Sequence, residues 1–172
     1  MEKGYVQVYT GNGKGKTTAM LGLTLRACGA GLRVYVGQFI KSMEYSEIKA
    51  LKEFLPMVKT EQFGTGCFIF REASQEDVDA AREGFNKAME AMCSGEYDVV
   101  MLDEINVAVY YGMISKEEVL ELIRKKPEHV ELILTGRYAA DEIIEAADLV
   151  SEVTEVKHYY KQGVMARDGI ER

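Results

Sequence analysis

The sequence predicts an α/β fold with a mainly parallel sheet and helices on both faces. Short runs of β-branched and aromatic residues alternate with longer runs whose apolar residues recur every three or four positions. Strands that alternate with helices favour parallel pairing. The run DVVMLD (98–103) is apolar between its terminal acids, as is typical of a strand buried on both faces. The 172 residues are enough for one core, which predicts a single domain over 1–172.

Strands are predicted where β-forming runs are bounded by glycine, proline or charged residues. Arg33–Ile40 (RVYVGQFI) is an example of such a run, and it ends in a charged lysine. In chain order, the predicted strands are Tyr5–Tyr9, Arg33–Ile40, Val58–Phe63, Asp98–Asp103, Glu131–Thr135 and Leu149–Val156.

Helices are predicted between these strands from apolar periodicity and from end signals. Ser74 and Ser115 are good N-caps, Gly31 follows the first helix and Pro56 stops the second. The predicted helices are Thr17–Ala30, Met43–Leu55, Ser74–Cys93, Ser115–Lys126 and Ala139–Ala147. Residues 157–172 are predicted to form a polar tail.

Composition limits the possible partners. A net charge of −7 argues against non-specific binding of nucleic acid or of anionic membranes. No apolar run is long enough to span a membrane, and the first residues do not form a signal peptide. Cys28, Cys67 and Cys93 have neither metal-ligand spacing nor a disulfide framework, which predicts a reducing, cytoplasmic location. We expect Cys28 and Cys93 to be small core residues.

The stretch YVQVYTGNGKGKTTAM (5–20) has the order strand, glycine-rich loop, helix that a phosphate-binding loop requires. Glycines let successive backbone N–H groups face one concavity, and the helix adds its positive end. Lys16 can reach the outer phosphates, while the Thr17 hydroxyl can bind Mg²⁺. Thr10 stands where the usual pattern has its first glycine. The predicted triphosphate-binding residues are Thr10, Gly11, Asn12, Gly13, Lys14, Gly15, Lys16, Thr17 and Thr18.

Polar residues also follow other predicted strands. Asp103 and Glu104 close an apolar strand, a Walker B arrangement that predicts a Mg²⁺ ligand without deciding which acid it is. Lys41 and Arg137 follow strands at the same sheet edge, where a triphosphate needs positive charge. Arg26 lies deep on the first helix, where an arginine more often pairs with a carboxylate.

Phe68 and Phe70 lie two residues apart in a loop that begins with Gly64 and Gly66. On a strand-like segment, that spacing puts both rings on one side. They form either a hydrophobic plug or a lid over a large apolar ligand. His129 and His158 lack partner spacing and are expected to be ordinary polar groups.

Together, the segments YTGNGKGKTTAMLGLTLRACGAG, VGQFIKS, FGTG, VVMLDEI, LTGR, ADLVSEV and KHYYKQGVMARDGIE resemble the P-loop ATP:corrinoid adenosyltransferases over nearly the whole chain. The resemblance implies a P-loop NTPase fold of the RecA-like type. It implies transfer of the 5′-deoxyadenosyl group of ATP to a cobalt(I) corrinoid such as cob(I)alamin, with release of triphosphate. ATP would lie on the loop in reversed orientation, which exposes the ribose 5′-carbon.

The resemblance also implies residue roles. Lys14 and Lys16 would stabilise the leaving triphosphate, and Thr17 and Glu104 would serve Mg²⁺. Arg26 would contact the nucleotide, and this favours a functional role for Arg26 over simple pairing with a carboxylate. The pair at 68 and 70 would close on the lower face of the corrin, although the family's loop often carries a tryptophan and this chain has none. A flavoprotein reductase and a homodimer are the implied partners.

Two alternatives remain open at this point. One is an ordinary NTPase or small-molecule kinase, for which the sequence offers no convincing residue to orient water or an acceptor hydroxyl. The other is a non-catalytic nucleotide-binding regulator or corrinoid carrier.

Overall fold

The computed structural model describes residues 2–66 and 73–171. Its strands are β1 (Val6–Thr10), β2 (Val34–Lys41), β3 (Val58–Gly66), β4 (Val99–Asp103), β5 (Glu131–Thr135) and β6 (Leu149–Glu152). Its helices are α1 (Lys16–Gly29), α2 (Ser46–Phe54), α3 (Gln75–Cys93), α4 (Ile105–Tyr110), α5 (Lys116–Lys125) and α6 (Asp141–Ala146).

All six strands pair in parallel in the order β3-β2-β4-β5-β1-β6. Strand β5 therefore lies between β1, which leads into the glycine-rich loop, and β4, which ends in the acidic pair. This confirms the predicted α/β class and places the carboxyl ends of β1, β2, β4 and β5 along one edge.

Two apolar clusters cover the two faces of the sheet. One combines sheet residues with α3, α4, α5 and α6, including the buried side chains of Phe85, Ile105 and Leu122. The other combines the opposite face with α1 and α2, through Met20 and Ile48. Helices on both faces leave the carboxyl edge of the sheet as the place where polar loops converge.

Several predicted boundaries differ from the structure. Strand β3 runs on to Gly66, and β6 ends at Glu152 because the chain then crosses the glycine-rich loop. Helix α4 was not predicted, and neither was the 3₁₀ turn Tyr159–Gln162 in the tail. Among the described cysteines, Cys28 is buried as expected, whereas Cys93 is exposed. The prediction that Cys93 is a core residue was wrong. Cys93 is the last residue of α3, and it does not share the buried face of the helix that carries Met92.

Within the described ranges, no helix is both long enough and apolar enough to cross a membrane.

Candidate active site

The glycine-rich loop joins β1 to α1 and is pressed against the chain that follows β6. Gly11 and Gly15 have φ of +93° and +128°, which side-chain-bearing residues rarely adopt. A Cβ at Gly11 would lie 2.5 Å from the carbonyl oxygen of Val153. The Gly13 N–H donates to that same oxygen at 2.7 Å. The loop is therefore fixed from outside as well as by its own sequence.

Lys16 lies within the curl of this loop. Its ammonium donates to the carbonyl oxygens of Gly11 at 2.8 Å and Gly13 at 2.9 Å. Burial lowers the pKa of Lys16, although the nearby Glu104 carboxylate opposes that shift. Lys14, by contrast, is exposed and donates to the carbonyl oxygen of Ile170 in the tail at 3.2 Å.

Asp103 is the centre of a buried polar network. Its Oδ1 accepts from the hydroxyls of Thr17 at 3.0 Å and Thr135 at 2.7 Å. Its Oδ2 accepts from the Lys41 ammonium at 2.7 Å and from the Gln38 amide at 3.2 Å. These four donors saturate the carboxylate, which has about four acceptor sites. Asp103 thus orients Thr17 at the start of α1.

The charges in this network support one another. Burial alone would raise the pKa of Asp103, but the Lys41 ammonium and the donated hydrogen bonds hold it below its ordinary value. Burial would likewise lower the pKa of Lys41, and the Asp103 carboxylate raises it. Both groups are therefore charged near neutral pH. The Asp103 carboxylate has no acceptor site left for a ligand.

Glu104 behaves differently from its neighbour. It adopts a left-handed backbone with φ of +60°, and its N–H donates to the Thr135 hydroxyl at 3.1 Å. Burial and the negative charge of Asp103 raise the pKa of its carboxyl group. Within residues 2–66 and 73–171, this carboxylate lines the cavity and accepts no hydrogen bond. Among the described contacts, Glu104 is therefore the one of the two acids whose carboxylate oxygens have no partner.

A cavity of about 800 Å³ opens above these groups. Its floor, which we call the phosphate floor, consists of Gly13–Thr18 with Lys41, Glu104 and Arg137. The structure therefore brings together residues 13–18 of the predicted loop, the lysine that ends β2, the acid after β4 and the arginine after β5, whereas Gly11 and Asn12 do not line the cavity. Thr10 is buried beside it, where its hydroxyl accepts from the Ala139 N–H at 3.4 Å.

Arg26 lies elsewhere. It is exposed in the last turn of α1 and does not line the cavity. Ten residues at about 1.5 Å each put it about 15 Å along the helix from Lys16. The structure does not bring Arg26 to the nucleotide site of the same chain, so its role stays a prediction.

The tail supplies a wall of the cavity that the sequence did not predict. His158, Gly169, Ile170 and Glu171 line it, and we call them the tail wall. Glu171 accepts hydrogen bonds from Tyr159 and from Arg167, the latter at 3.1 Å. The sequence signal was the ARDGIE ending, which carried the resemblance but was given no role. Phe68 and Phe70 lie outside the described residues, while Gly66, just before them, lines the cavity.

Backbone strain concentrates at this cavity. Three non-glycine residues in the described part of the chain have positive φ, namely Ile40, Glu104 and Tyr138, and all three line it. Ile40 forms an irregularity in β2 that lets Lys41 reach Asp103, and it packs against Gly64, where a Cβ would lie 2.4 Å from its carbonyl carbon. Such strain is typical of functional sites.

A parallel α/β sheet with a phosphate loop, a buried acid on the loop threonine and a large cavity beside them defines a P-loop nucleotide-binding protein. The sequence comparison is more specific. Residues 2–172 match the model of the family ATP:corrinoid adenosyltransferase BtuR/CobO/CobP, and the chain belongs to that family.

Named relatives agree with this assignment. A corrinoid adenosyltransferase of Escherichia coli K12 is 38% identical over 99% of this chain and 86% of its own length. One from Pseudomonas aeruginosa is 34% identical over 99% and 84%. The corrinoid adenosyltransferase CobA of Salmonella typhimurium is 36% identical over 99% and 86%.

Proposed function

We propose that this protein transfers the 5′-deoxyadenosyl group of ATP to a cobalt(I) corrinoid, cob(I)alamin being one such substrate. The observation that carries the proposal is the family match over residues 2–172, joined to a cavity whose floor is the phosphate loop. A cavity of about 800 Å³ leaves room beyond the triphosphate for the nucleoside and for contact with a second substrate.

The chemistry needs positioning and charge stabilisation more than proton transfer. A cobalt(I) lone pair attacks the ribose 5′-carbon, the cobalt–carbon bond forms, and the bond from that carbon to oxygen breaks with its electron pair leaving on the triphosphate. No proton has to move. Cobalt must therefore approach in line with the breaking bond. We assign Lys16, Lys14 and Arg137 to the charge that develops on the leaving group.

We assign the Mg²⁺ site to Thr17 and Glu104, with Asp103 acting through Thr17. Oxygen donors of this kind suit Mg²⁺. Asp103 has no acceptor site left, whereas the Glu104 carboxylate is unpartnered among the described residues. Where bound, the ion would neutralise triphosphate charge. No cluster of three or more acidic, histidine or cysteine ligands occurs in the ranges described, which suits an ion held partly by substrate phosphates.

We also propose that Phe68 and Phe70 shield the lower face of the corrin. The support is their two-residue spacing and the position of Gly66 on the cavity wall. Replacing both by alanine should leave ATP affinity nearly unchanged. It should lower the rate strongly when cobalt(II) must be reduced on the protein, and less when cobalt(I) is supplied. A collapse of ATP affinity, or unfolding, would show instead that these residues belong to the nucleotide site or to the core.

The remaining expectations come from the family resemblance. They are reduction of the corrinoid by a flavoprotein partner, assembly as a homodimer and residence in the cytoplasm. Sedimentation of the purified protein tests the second directly, since a monomer at micromolar concentration would contradict it.

The central test is an anaerobic assay with ATP and chemically reduced cobalamin. We expect the spectrum of the cobalt–carbon product and release of triphosphate in equal amounts. Release of inorganic phosphate without that product would indicate an NTPase, and binding without any turnover would indicate a regulator or carrier.

A further inference from the structure

Three tyrosines form a cluster at one side of the cavity. Tyr138 and Tyr110 are stacked, with ring centroids 4.2 Å apart and 30° between the planes. Tyr111 meets Tyr110 edge to face at 5.3 Å. Tyr111 and Tyr138 line the cavity, and Tyr110 lies behind Tyr138. The pair stays exposed, at 59% for Tyr110 and 47% for Tyr138.

The backbone that presents Tyr138 is strained and firmly held. Tyr138 has φ of +61°, a backbone conformation that residues with a side chain rarely adopt. The turn is tied to the end of β1 on both sides. The Gly136 N–H donates to the Tyr9 carbonyl at 3.1 Å, and the Ala139 N–H donates to the Thr10 hydroxyl at 3.4 Å. The fold thus holds a large exposed ring at the cavity in an unfavourable backbone conformation.

The phosphate floor does not explain this arrangement. Positive φ at Ile40 goes with the irregularity that lets Lys41 reach Asp103, and positive φ at Glu104 goes with the free carboxylate. The Tyr138 side chain brings no positive charge to a triphosphate. It brings an aromatic face to the same cavity, directly after Arg137. Such a face suits a flat, largely apolar ligand.

We propose that Tyr138, supported by Tyr110, is a specificity-determining contact for the corrin macrocycle. The inference rests on the proposed adenosyl transfer. Cobalt must reach the carbon next to the triphosphate, so the macrocycle must lie over the cavity mouth beside the residues that follow Arg137. Strand order puts Tyr138, after β5, three strand spacings of about 4.8 Å from Gly66, the last residue of β3. The tyrosine pair and Gly66 would then lie on opposite sides of the macrocycle.

The test compares Tyr138→Gly with Tyr138→Phe, Tyr110→Ala and the control Tyr5→Ala. Glycine adopts positive φ readily, so the turn should survive loss of the ring. Tyr5 is similarly exposed, at 46%, but precedes β1 at the opposite edge of the sheet. With cobalt(I) supplied chemically, we expect Tyr138→Gly to raise KM for the corrinoid about three- to tenfold, and Tyr110→Ala to raise it less. KM for ATP should stay within about twofold of wild type in every variant. KM for the corrinoid should also stay within about twofold of wild type in Tyr138→Phe and Tyr5→Ala.

A second readout is Kd for cob(II)alamin, titrated spectrally without turnover, which should rise in parallel. A raised KM for ATP with unchanged corrinoid binding would overturn the proposal and assign the rings to adenine. Unchanged constants for both substrates would also overturn it. Wild-type protein that forms no cobalt–carbon bond would refute the proposed function, and the cob(II)alamin titration would still decide whether the tyrosines contact the macrocycle.

Discussion

The phosphate floor and the tail wall face the same cavity but are held by different kinds of interaction. The floor rests on Asp103, which is fully buried and receives four hydrogen bonds from β2, β5 and α1. The wall rests on pairs such as Glu171 with Arg167, whose guanidinium is exposed, and solvent and salt weaken such pairs. A preorganised floor suits a triphosphate whose charges must be met at fixed points. A weakly held wall suits a side of the cavity that large substrates must pass.

The comparison predicts its largest effect at Lys16. We expect Lys16→Ala to lower kcat at saturating ATP by roughly 100-fold, since removal of one preorganised charge stabiliser costs on the order of 3 kcal/mol. The fold should persist, because the ammonium only bonds the carbonyls of its own loop. Lys59→Ala, at an exposed position of β3, is the control. A variant with the wild-type rate would remove the loop from the mechanism.

The two adjacent acids should contribute to different properties, Asp103 to stability and Glu104 to the dependence of activity on magnesium. Asp103→Asn should destabilise the protein by on the order of 3 kcal/mol, because it leaves Lys41 without its partner. Glu104→Gln should leave stability unchanged or higher, and should shift the magnesium titration of activity further than Asp103→Asn does. Urea unfolding and magnesium titration of both variants test this. A larger magnesium shift for the Asp103 variant would reverse our assignment.

The same pair predicts opposite pH dependences. The pKa of Asp103 is lowered, so its contribution is present above the ordinary range near 4 and is lost as pH falls through the lowered value. The pKa of Glu104 is raised, so ionising it costs stability as pH rises from that range toward the raised value. The stability of Glu104→Gln relative to wild type should therefore increase with pH. A difference that is flat across pH 4–8 would contradict the raised pKa.

The tail wall should show the smallest effects on stability. Glu171→Gln should lower the free energy of unfolding much less than Asp103→Asn does, since its ion-pair partner Arg167 is exposed. It should still raise KM for ATP a few-fold, because Glu171 lines the cavity. Glu155→Gln removes another exposed pair of the same segment, with Lys161, at a position off the cavity. Equal effects of the two substitutions on KM would show that the wall has no special role.

The sequence predicted that the parts of the floor lie together, because each part is marked by a local pattern. The loop is recognisable from TGNGKGKTT. Lys41 and Asp103 end strands, and Glu104 and Arg137 follow strands, whose carboxyl ends must meet at one edge of the sheet. The bend at Ile40 that lets Lys41 reach Asp103 was not visible, since nothing in RVYVGQFIK marks a positive φ.

The parts that sequence analysis missed depend on distant or irregular contacts. Lys14 meets Ile170 across 156 positions, a separation that no local pattern encodes. Helix α4 has only six residues, and its apolar run INVAVY shows no helical period. The nucleotide contact of Arg26 rests on the family resemblance alone. The distance of Arg26 from the loop follows from the rise of the helix, about which the sequence motif says nothing.

The bonds of Lys16 have a consequence for turnover. Burying an ammonium group without hydrogen-bond acceptors is unfavourable. If Lys16 could bond only to phosphates, loss of the phosphates would therefore leave its charge unpaired. In this structure, the carbonyl oxygens of Gly11 and Gly13 accept hydrogen bonds from the Lys16 ammonium at 2.8 and 2.9 Å in place of phosphate oxygens. Departure of a highly charged product is then an exchange of one set of acceptors for another. The loop thereby offers Lys16 hydrogen-bond acceptors whether or not a phosphate is bound, which lowers the free-energy cost of losing that ligand.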